Sequence, residues 1–151
     1  MTPRWVPPVT LVLSLVGVAV SGYLTYAHYT SPSVLVCSDK GIVNCTAVTT
    51  SAQSVFLGVP VALLGLLWWV VMAGLSLPLA WRSTSLGVHR ARLALSVAGI
   101  GFVLWLVYAE FVIIGKICLW CSVVHVLAFA MFVLVMLFGL DMARWGPEEE
   151  D

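Results

Sequence analysis

The sequence predicts an all-α integral membrane protein, a bundle of four transmembrane helices with an outer loop that carries a cysteine pair. Its 151 residues are 62% hydrophobic and only 9% charged, whereas a soluble domain has about 25% charged residues. Four apolar stretches approach or exceed the roughly 20 residues that cross a bilayer as a helix. The formal net charge of zero argues against nucleic acid as a partner.

The four apolar stretches account for most of the chain and predict one membrane domain. The spans are expected at residues 9–29, 59–79, 91–114 and 118–140, with an outer loop at 30–57. Pro7 and Pro8 stand at the start of the first helix, where proline is tolerated. Pro60 opens the second span, and Gly115 marks the turn before the fourth. The acidic tail, residues 146–151, is expected to be solvated and disordered.

The basic residues predict which way the chain crosses the membrane. Five arginines fall on one predicted side: Arg4, Arg82, Arg90, Arg92 and Arg144. Lys40 and Lys116 are the only basic residues on the other side. Because cytoplasmic segments are enriched in Lys and Arg, we expect both termini in the cytoplasm of a multi-pass protein of the cell (inner) membrane. Trp5, Trp81 and Trp145 fall at the predicted cytoplasmic ends, where indole rings favour the interface.

The cysteines form two pairs, both on the predicted outer face, where disulfides persist. Cys118 and Cys121 make a C-x-x-C at the start of the fourth helix, so both sulfurs share one helix face. The positive end of the helix dipole there favours the thiolate, which is the reactive form in disulfide exchange. The spacing therefore predicts a redox-active pair at the membrane interface. A metal half-site and an inert staple are the alternatives.

The second pair, Cys37 and Cys45, encloses seven residues of a polar, glycine-containing loop. A disulfide there is accessible to a soluble protein. Two pairs with different exposure predict a relay, in which a transient disulfide forms between one cysteine of each pair. A structural clip in the loop remains an alternative. A zinc site of four cysteines is disfavoured, because such sites usually draw on two C-x-x-C-like knuckles and the chain has one.

The order of these features resembles the vitamin K epoxide reductase family in its bacterial form. The similarity rests on the loop pair Cys37 and Cys45, a loop serine, Gly58-Val59-Pro60 before the second span, and C-x-x-C opening the fourth. The seven-residue gap between the loop cysteines is similar to the animal members. The run from Cys118 to His125 is closer to the prokaryotic ones, and the outer loop is shorter than in animal members.

The resemblance implies a role for each cysteine. Cys118 and Cys121 correspond to the active-site pair, with Cys121 next to a quinone. Cys45 carries electrons to Cys118, and Cys37 is attacked first by the thiol of the partner protein. The acceptor implied is a membrane quinone, ubiquinone or menaquinone, and the partner is a separate thioredoxin-like dithiol protein outside the cytoplasm.

The resemblance also suggests residues around the quinone. Ser51 matches the family's loop Ser/Thr that supports the active site. Ser54 and Phe56 lie near quinone-facing positions. His125 occupies the position of a quinone-side tyrosine of the animal members, one helical turn beyond Cys121.

Glu110 is the ionisable residue inside the third predicted span, which makes it a candidate functional residue. One hypothesis is that its carboxyl group delivers a proton during quinone reduction. The other is that it pairs with Lys116 or reaches the interface. An aromatic belt at the outer interface is expected from His28, Tyr23, Tyr26 and Tyr29.

We therefore expect a quinone-dependent thiol oxidoreductase that supports disulfide formation outside the cytoplasm. Three alternatives stay open. In the first alternative, the main activity is the reduction of a quinone or of vitamin K epoxide. In the second, the chain is a membrane scaffold stabilised by disulfides, without catalysis. The third is a transporter of reducing power, which needs cysteines accessible from both faces of the membrane.

Overall fold

The fold, seen in a computed structural model that describes residues 3–37 and 39–145, is mostly helical. The described residues form six α-helices: α1 (Val6–Tyr29), α2 (Cys45–Thr49), α3 (Val61–Leu75), α4 (Pro78–Trp81), α5 (Leu86–Tyr108) and α6 (Leu119–Trp145). Within these described ranges, three helical stretches are long and apolar enough to cross a membrane: Val6–Tyr29, Leu86–Ile114 and Leu119–Leu140. The helix α3 is apolar but shorter. The tail expected at 146–151 lies outside the described residues.

The helix boundaries follow the prolines. α1 begins at Val6 and carries Pro7 and Pro8 in its first turn, because the missing proline N–H has no intrahelical partner there in any case. The segment expected to run as one helix to residue 79 instead ends at Leu75, and Pro78 begins the separate helix α4. Proline disfavours helical geometry in the residue before it, so the chain bends at this point.

The long helices pack around a core that contains close approaches of small residues to indole rings. α1 contacts α3 and α6, and α5 contacts α6. Gly17 of α1 lies against the ring of Trp69, and Gly99 of α5 lies against Trp68, so that a Cβ atom at either glycine would overlap the indole. Small residues at such points let membrane helices pack closely.

The segment between α1 and α3, called here the cysteine loop (residues 30–37 and 39–60), has two small hairpins. β1 (Asp39–Lys40) pairs with β2 (Val43–Asn44), and β3 (Val55–Phe56) pairs with β4 (Val59–Pro60), both antiparallel. The first hairpin turns at Gly41, where φ is +76°, a conformation that glycine adopts without cost. The polar loop expected from the sequence is thus an ordered structure folded over one end of the bundle.

The opposite end of the bundle, called here the arginine end, is organised by a buried guanidinium. Arg92 is 1% exposed, and its Nε and Nη2 donate to the carbonyl of Leu75 at 3.0 and 2.7 Å. The guanidinium carbon lies 3.8 Å from the ring centroid of Trp81, whose Nε1 donates to Thr10. Because Arg92 only donates, His89 Nδ1 accepts from it at 3.3 Å. Arg92 thus caps the carbonyl end of α3, where helical partners run out.

Candidate functional site

The loop cysteines are joined in a disulfide, and the two sulfurs differ in exposure. Cys37 bonds to Cys45; Cys37 is half-buried, whereas Cys45 is only 1% exposed. Cys45 begins α2, and the side chain of Asn44 caps this short helix by accepting from the N–H of Ala47 at 2.8 Å. A protein thiol approaching from outside therefore reaches Cys37 more readily than Cys45.

The C-x-x-C thiols are free and sit at the start of α6. Cys118 is 0% exposed and immediately precedes the helix. Its sulfur accepts from the backbone N–H of Cys121 at 3.2 Å, the geometry of a helix N-cap. A hydrogen bond from the Cys121 thiol is the main cause that lowers the pKa of Cys118 below its ordinary value, against burial, which raises it. The arrangement favours a thiolate on Cys118.

The two pairs meet in one apolar cluster. Cys45 and Cys118, both fully buried, belong to it together with four apolar residues of α1, α2 and the cysteine loop: Leu24, Ala27, Leu35 and Val48. Cys37 and Cys121 pack against its edge. The structure therefore brings together the four cysteines that are far apart in sequence, with one buried member of each pair inside the cluster. Among the described residues, no three His, Cys, Asp or Glu side chains converge to hold a metal ion.

A cavity of about 370 Å³ opens beside Cys121 and is bounded by α1, α3, α5, α6 and the cysteine loop. Its walls are largely apolar, and the predicted pocket and supporting residues all line it: Ser51, Ser54, Phe56, Glu110, Cys121 and His125. Cys37, Cys45 and Cys118 are not among the lining residues. Of the four cysteines, only Cys121, the second cysteine of the C-x-x-C, therefore lines the cavity.

The two loop serines are oriented by the backbone. The Ser51 hydroxyl donates to the carbonyl of Val48 at 2.7 Å, and the Ser54 hydroxyl donates to the carbonyl of Ser51 at the same distance. Each hydroxyl proton is therefore directed to the chain, and the oxygen lone pairs stay available as acceptors. Both side chains line the cavity from the loop side.

Glu110 is buried, at 4% exposure, in a π-helical turn (Ala109–Ile114) that extends α5. The hypothesis that it pairs with Lys116 is wrong, and the alternative that it reaches the membrane interface stays a prediction. The ammonium of Lys116 donates instead to the carbonyl of Gly41 at 2.9 Å, and the carboxylate of Glu110 accepts from the backbone N–H of Cys118. The π-turn, a feature frequent at functional sites, directs this carboxylate to the C-x-x-C.

Several cavity residues did not stand out in the sequence. His28, expected in an aromatic belt, lines the cavity, as do Gln53, Trp68 and Phe102. His28 lies on α1, four residues after Leu24, which is also a lining residue. That spacing places both on one helix face and is the signal that could have identified His28. Tyr23, also assigned to the belt, is hydrogen-bonded to the cysteine loop.

A comparison with protein-family models adds to this geometry. The model of the vitamin K epoxide reductase family matches residues 8–136. The match spans most of the chain and includes all four cysteines and every residue that lines the cavity.

Proposed function

The chain belongs to the vitamin K epoxide reductase family of membrane redox enzymes, and we propose that it is a quinone-dependent thiol oxidoreductase. It oxidises a thioredoxin-like dithiol protein outside the cytoplasm and reduces a membrane quinone, ubiquinone or menaquinone. The proposal rests on the buried cluster that contains both Cys45 and Cys118. Cys45 belongs to the partly exposed disulfide, and Cys121, which pairs with Cys118 in the C-x-x-C, lines the cavity.

The proposed electron path begins at Cys37. A thiolate of the partner attacks its sulfur, since Cys45 is buried, and a second partner thiol resolves the mixed disulfide, leaving two thiols at Cys37 and Cys45. These pass two electrons to a Cys118–Cys121 disulfide by exchange. The arrangement observed, with Cys37–Cys45 joined and the other pair free, corresponds to the state that has received both electrons.

The cavity residues fit a quinone as the final acceptor. Its apolar walls suit a ring that partitions into lipid, and Cys121, His125 and Ser54 are among its polar lining groups, which ligand pockets use for orientation. A bound quinone supplies a two-electron, two-proton acceptor. Cys121 would face it, His125 and the Ser54 oxygen would orient it, and Phe56 would form part of the wall. Ser51 would support the loop.

Glu110 is proposed to handle protons at this site. Oxidising two thiols to a disulfide releases two protons, and forming a quinol takes up two. The Glu110 carboxylate is buried on the cavity wall and bonded to the N–H of Cys118, so it lies between the source and the destination. General acid–base groups must reach both.

The membrane arrangement proposed has four spans, with both termini cytoplasmic and all four cysteines outside. α3 is the short member: at 1.5 Å per residue its helix covers about 22 Å of a core of about 30 Å. The strand β4 before it and α4 after the Pro78 bend extend the segment to Trp81. The arginines at the opposite end from the cysteines support this orientation.

The test is anaerobic mixing of the fully reduced, purified protein with a quinone, with free thiols counted by alkylation over time. The proposal predicts rapid loss of four thiols and formation of quinol. Cys121→Ala abolishes both. Ser122→Ala, which alters the neighbouring hydroxyl bonded to the Cys118 carbonyl, is the control and keeps the activity. Persistence of all four thiols in folded protein would contradict the proposal.

A further inference from the structure

Next to each of its two cysteines, the cysteine loop is hydrogen-bonded to a residue that lies within two positions of Cys118. On one side, Trp120 Nε1 donates to the carbonyl of Val36, the residue before Cys37, at 3.2 Å. On the other, the N–H of Asn44, the residue before Cys45, donates to the carbonyl of Ile117 at 3.0 Å. The N–H of Ile117 in turn donates to the Ile42 carbonyl at 2.9 Å. None of these bonds involves a sulfur.

Two further side chains, those of Tyr23 and Lys116, reinforce these contacts. The Tyr23 hydroxyl donates to the carbonyl of Val34 at 2.7 Å and accepts from the N–H of Val36 at 3.0 Å. Its ring meets that of Trp120 edge to face, with centroids 5.1 Å apart. Lys116 donates to the carbonyl of Gly41 at the turn of the first hairpin. The loop is thereby fixed to α1 and to the entry of α6.

We propose that Lys116, Ile117 and Trp120 form a clasp that holds Cys45 in register with Cys118 while the loop disulfide is open. The inference rests on the proposed function, in which the bond between Cys37 and Cys45 breaks and reforms in every turnover. Once that bond is reduced, the nine-residue ring no longer constrains the loop. The clasp keeps the reacting sulfurs oriented and so lowers the entropic part of the barrier.

The step that the clasp serves is an exchange between the two pairs. The Cys45 thiolate attacks the Cys118 sulfur, so the Cys45–Cys118 bond forms, the Cys118–Cys121 bond breaks, and the electron pair leaves on Cys121. The Cys37 thiolate then attacks Cys45, restoring the loop disulfide and releasing Cys118 as a thiolate. Cys37 and Cys45 lose two protons, and the C-x-x-C pair takes up two, so atoms and electrons balance.

Lys116 and Trp120 act through the loop, so they are positioning residues, and the test separates exchange from the other steps. Reduced thioredoxin is mixed anaerobically with the fully oxidised protein, without quinone. Alkylation at intervals followed by mass spectrometry shows at which pair the thiols appear. In the double variant Lys116→Met/Trp120→Phe, two hydrogen bonds are lost, and we expect thiols at Cys118 and Cys121 to appear about tenfold more slowly.

Three controls make the result specific. The single variant Lys116→Arg keeps a donor for the Gly41 carbonyl and the native Trp120, and it retains most of the wild-type exchange rate. Trp105→Phe removes an exposed indole on α5 and leaves exchange unchanged. The third control is the quinone reaction of reduced protein that lacks Cys37 and Cys45, which proceeds at the same rate with and without the double substitution.

Two results would overturn the clasp: exchange at the native rate in the double variant, or equal slowing of exchange and of the quinone reaction, which indicates general loss of structure. If the wild-type protein takes electrons from thioredoxin and none reach Cys118 and Cys121, the proposed function itself fails. That outcome is visible without any variant, so the two failures are distinguishable.

Discussion

The two ends of the bundle both bury polar side chains, but they treat them differently. At the arginine end, Arg92, His89 and Trp81 donate to or accept from one another or nearby carbonyl and hydroxyl oxygens. At the cysteine end, Glu110 and His125 face a cavity. Polar groups whose hydrogen bonds are all made within the protein stabilise the fold, whereas polar groups that face a cavity can exchange protons with a bound molecule. The difference supports the proposal that the redox chemistry takes place at the cysteine end, whereas the arginine end stabilises the fold.

The largest effect on activity is expected from a substitution of Glu110 at the cysteine end. Glu110→Gln keeps an oxygen that can accept from the N–H of Cys118 but cannot take up a proton. Loss of a general acid–base group typically costs about 10² or more in rate. We expect quinone-dependent thiol oxidation to fall by about that factor, measured as quinol formation in single turnover, with the thermal midpoint unchanged. A native rate in Glu110→Gln would remove the carboxyl group from the mechanism.

Arg92 provides the opposite case, a large change in stability with little change in chemistry. Arg92→Met leaves the Leu75 carbonyl without its two donors and removes the contact with Trp81. The unsatisfied buried carbonyl and the lost charged bonds are expected to cost about 2–4 kcal/mol of unfolding free energy. Denaturation in mixed detergent micelles measures that loss. The quinone reaction per folded molecule stays native, and a catalytic defect in fully folded protein would contradict the division.

The smallest effect concerns the titration of Cys118. Cys121→Ala removes the thiol that mainly lowers the pKa of Cys118, so that pKa rises and the thiolate fraction at neutral pH falls. Cys121→Ser retains a donor and is expected to keep more of the lowered pKa. In protein that also lacks Cys37 and Cys45, Cys118 is the only thiol, and thiolate ultraviolet absorbance follows it. Identical titration midpoints in the two variants would argue against the hydrogen bond.

Patterns local in sequence predicted much of the site. The C-x-x-C at the start of a helix, the loop pair and the family resemblance, which the family match confirms, identified residues that line one cavity or one cluster. The helix break before Pro78 could have been predicted, because proline disfavours helical geometry in the preceding residue. The long apolar run around Pro78 instead indicated one continuous helix.

What the sequence did not reveal depends on contacts between distant segments. Counting basic residues assigned Arg92 to the cytoplasmic side but did not predict that its guanidinium is buried against a carbonyl of α3. Lys116 lies six residues after Glu110, which suggested a pair, but the π-turn and the hairpin at Gly41 give each a different partner. The pairing of Asn44 with Ile117 joins segments that have no complementary pattern in the sequence.

If electrons cross between the pairs through Cys45 and Cys118, a disulfide between these two residues can be trapped. In Cys37→Ser/Cys121→Ser protein, only Cys45 and Cys118 remain as thiols. We expect mild oxidation in membranes to join them within one chain in nearly all molecules, as measured by peptide mass spectrometry without reduction. Free thiols in folded protein, or disulfides only between chains, would contradict electron transfer through Cys45 and Cys118.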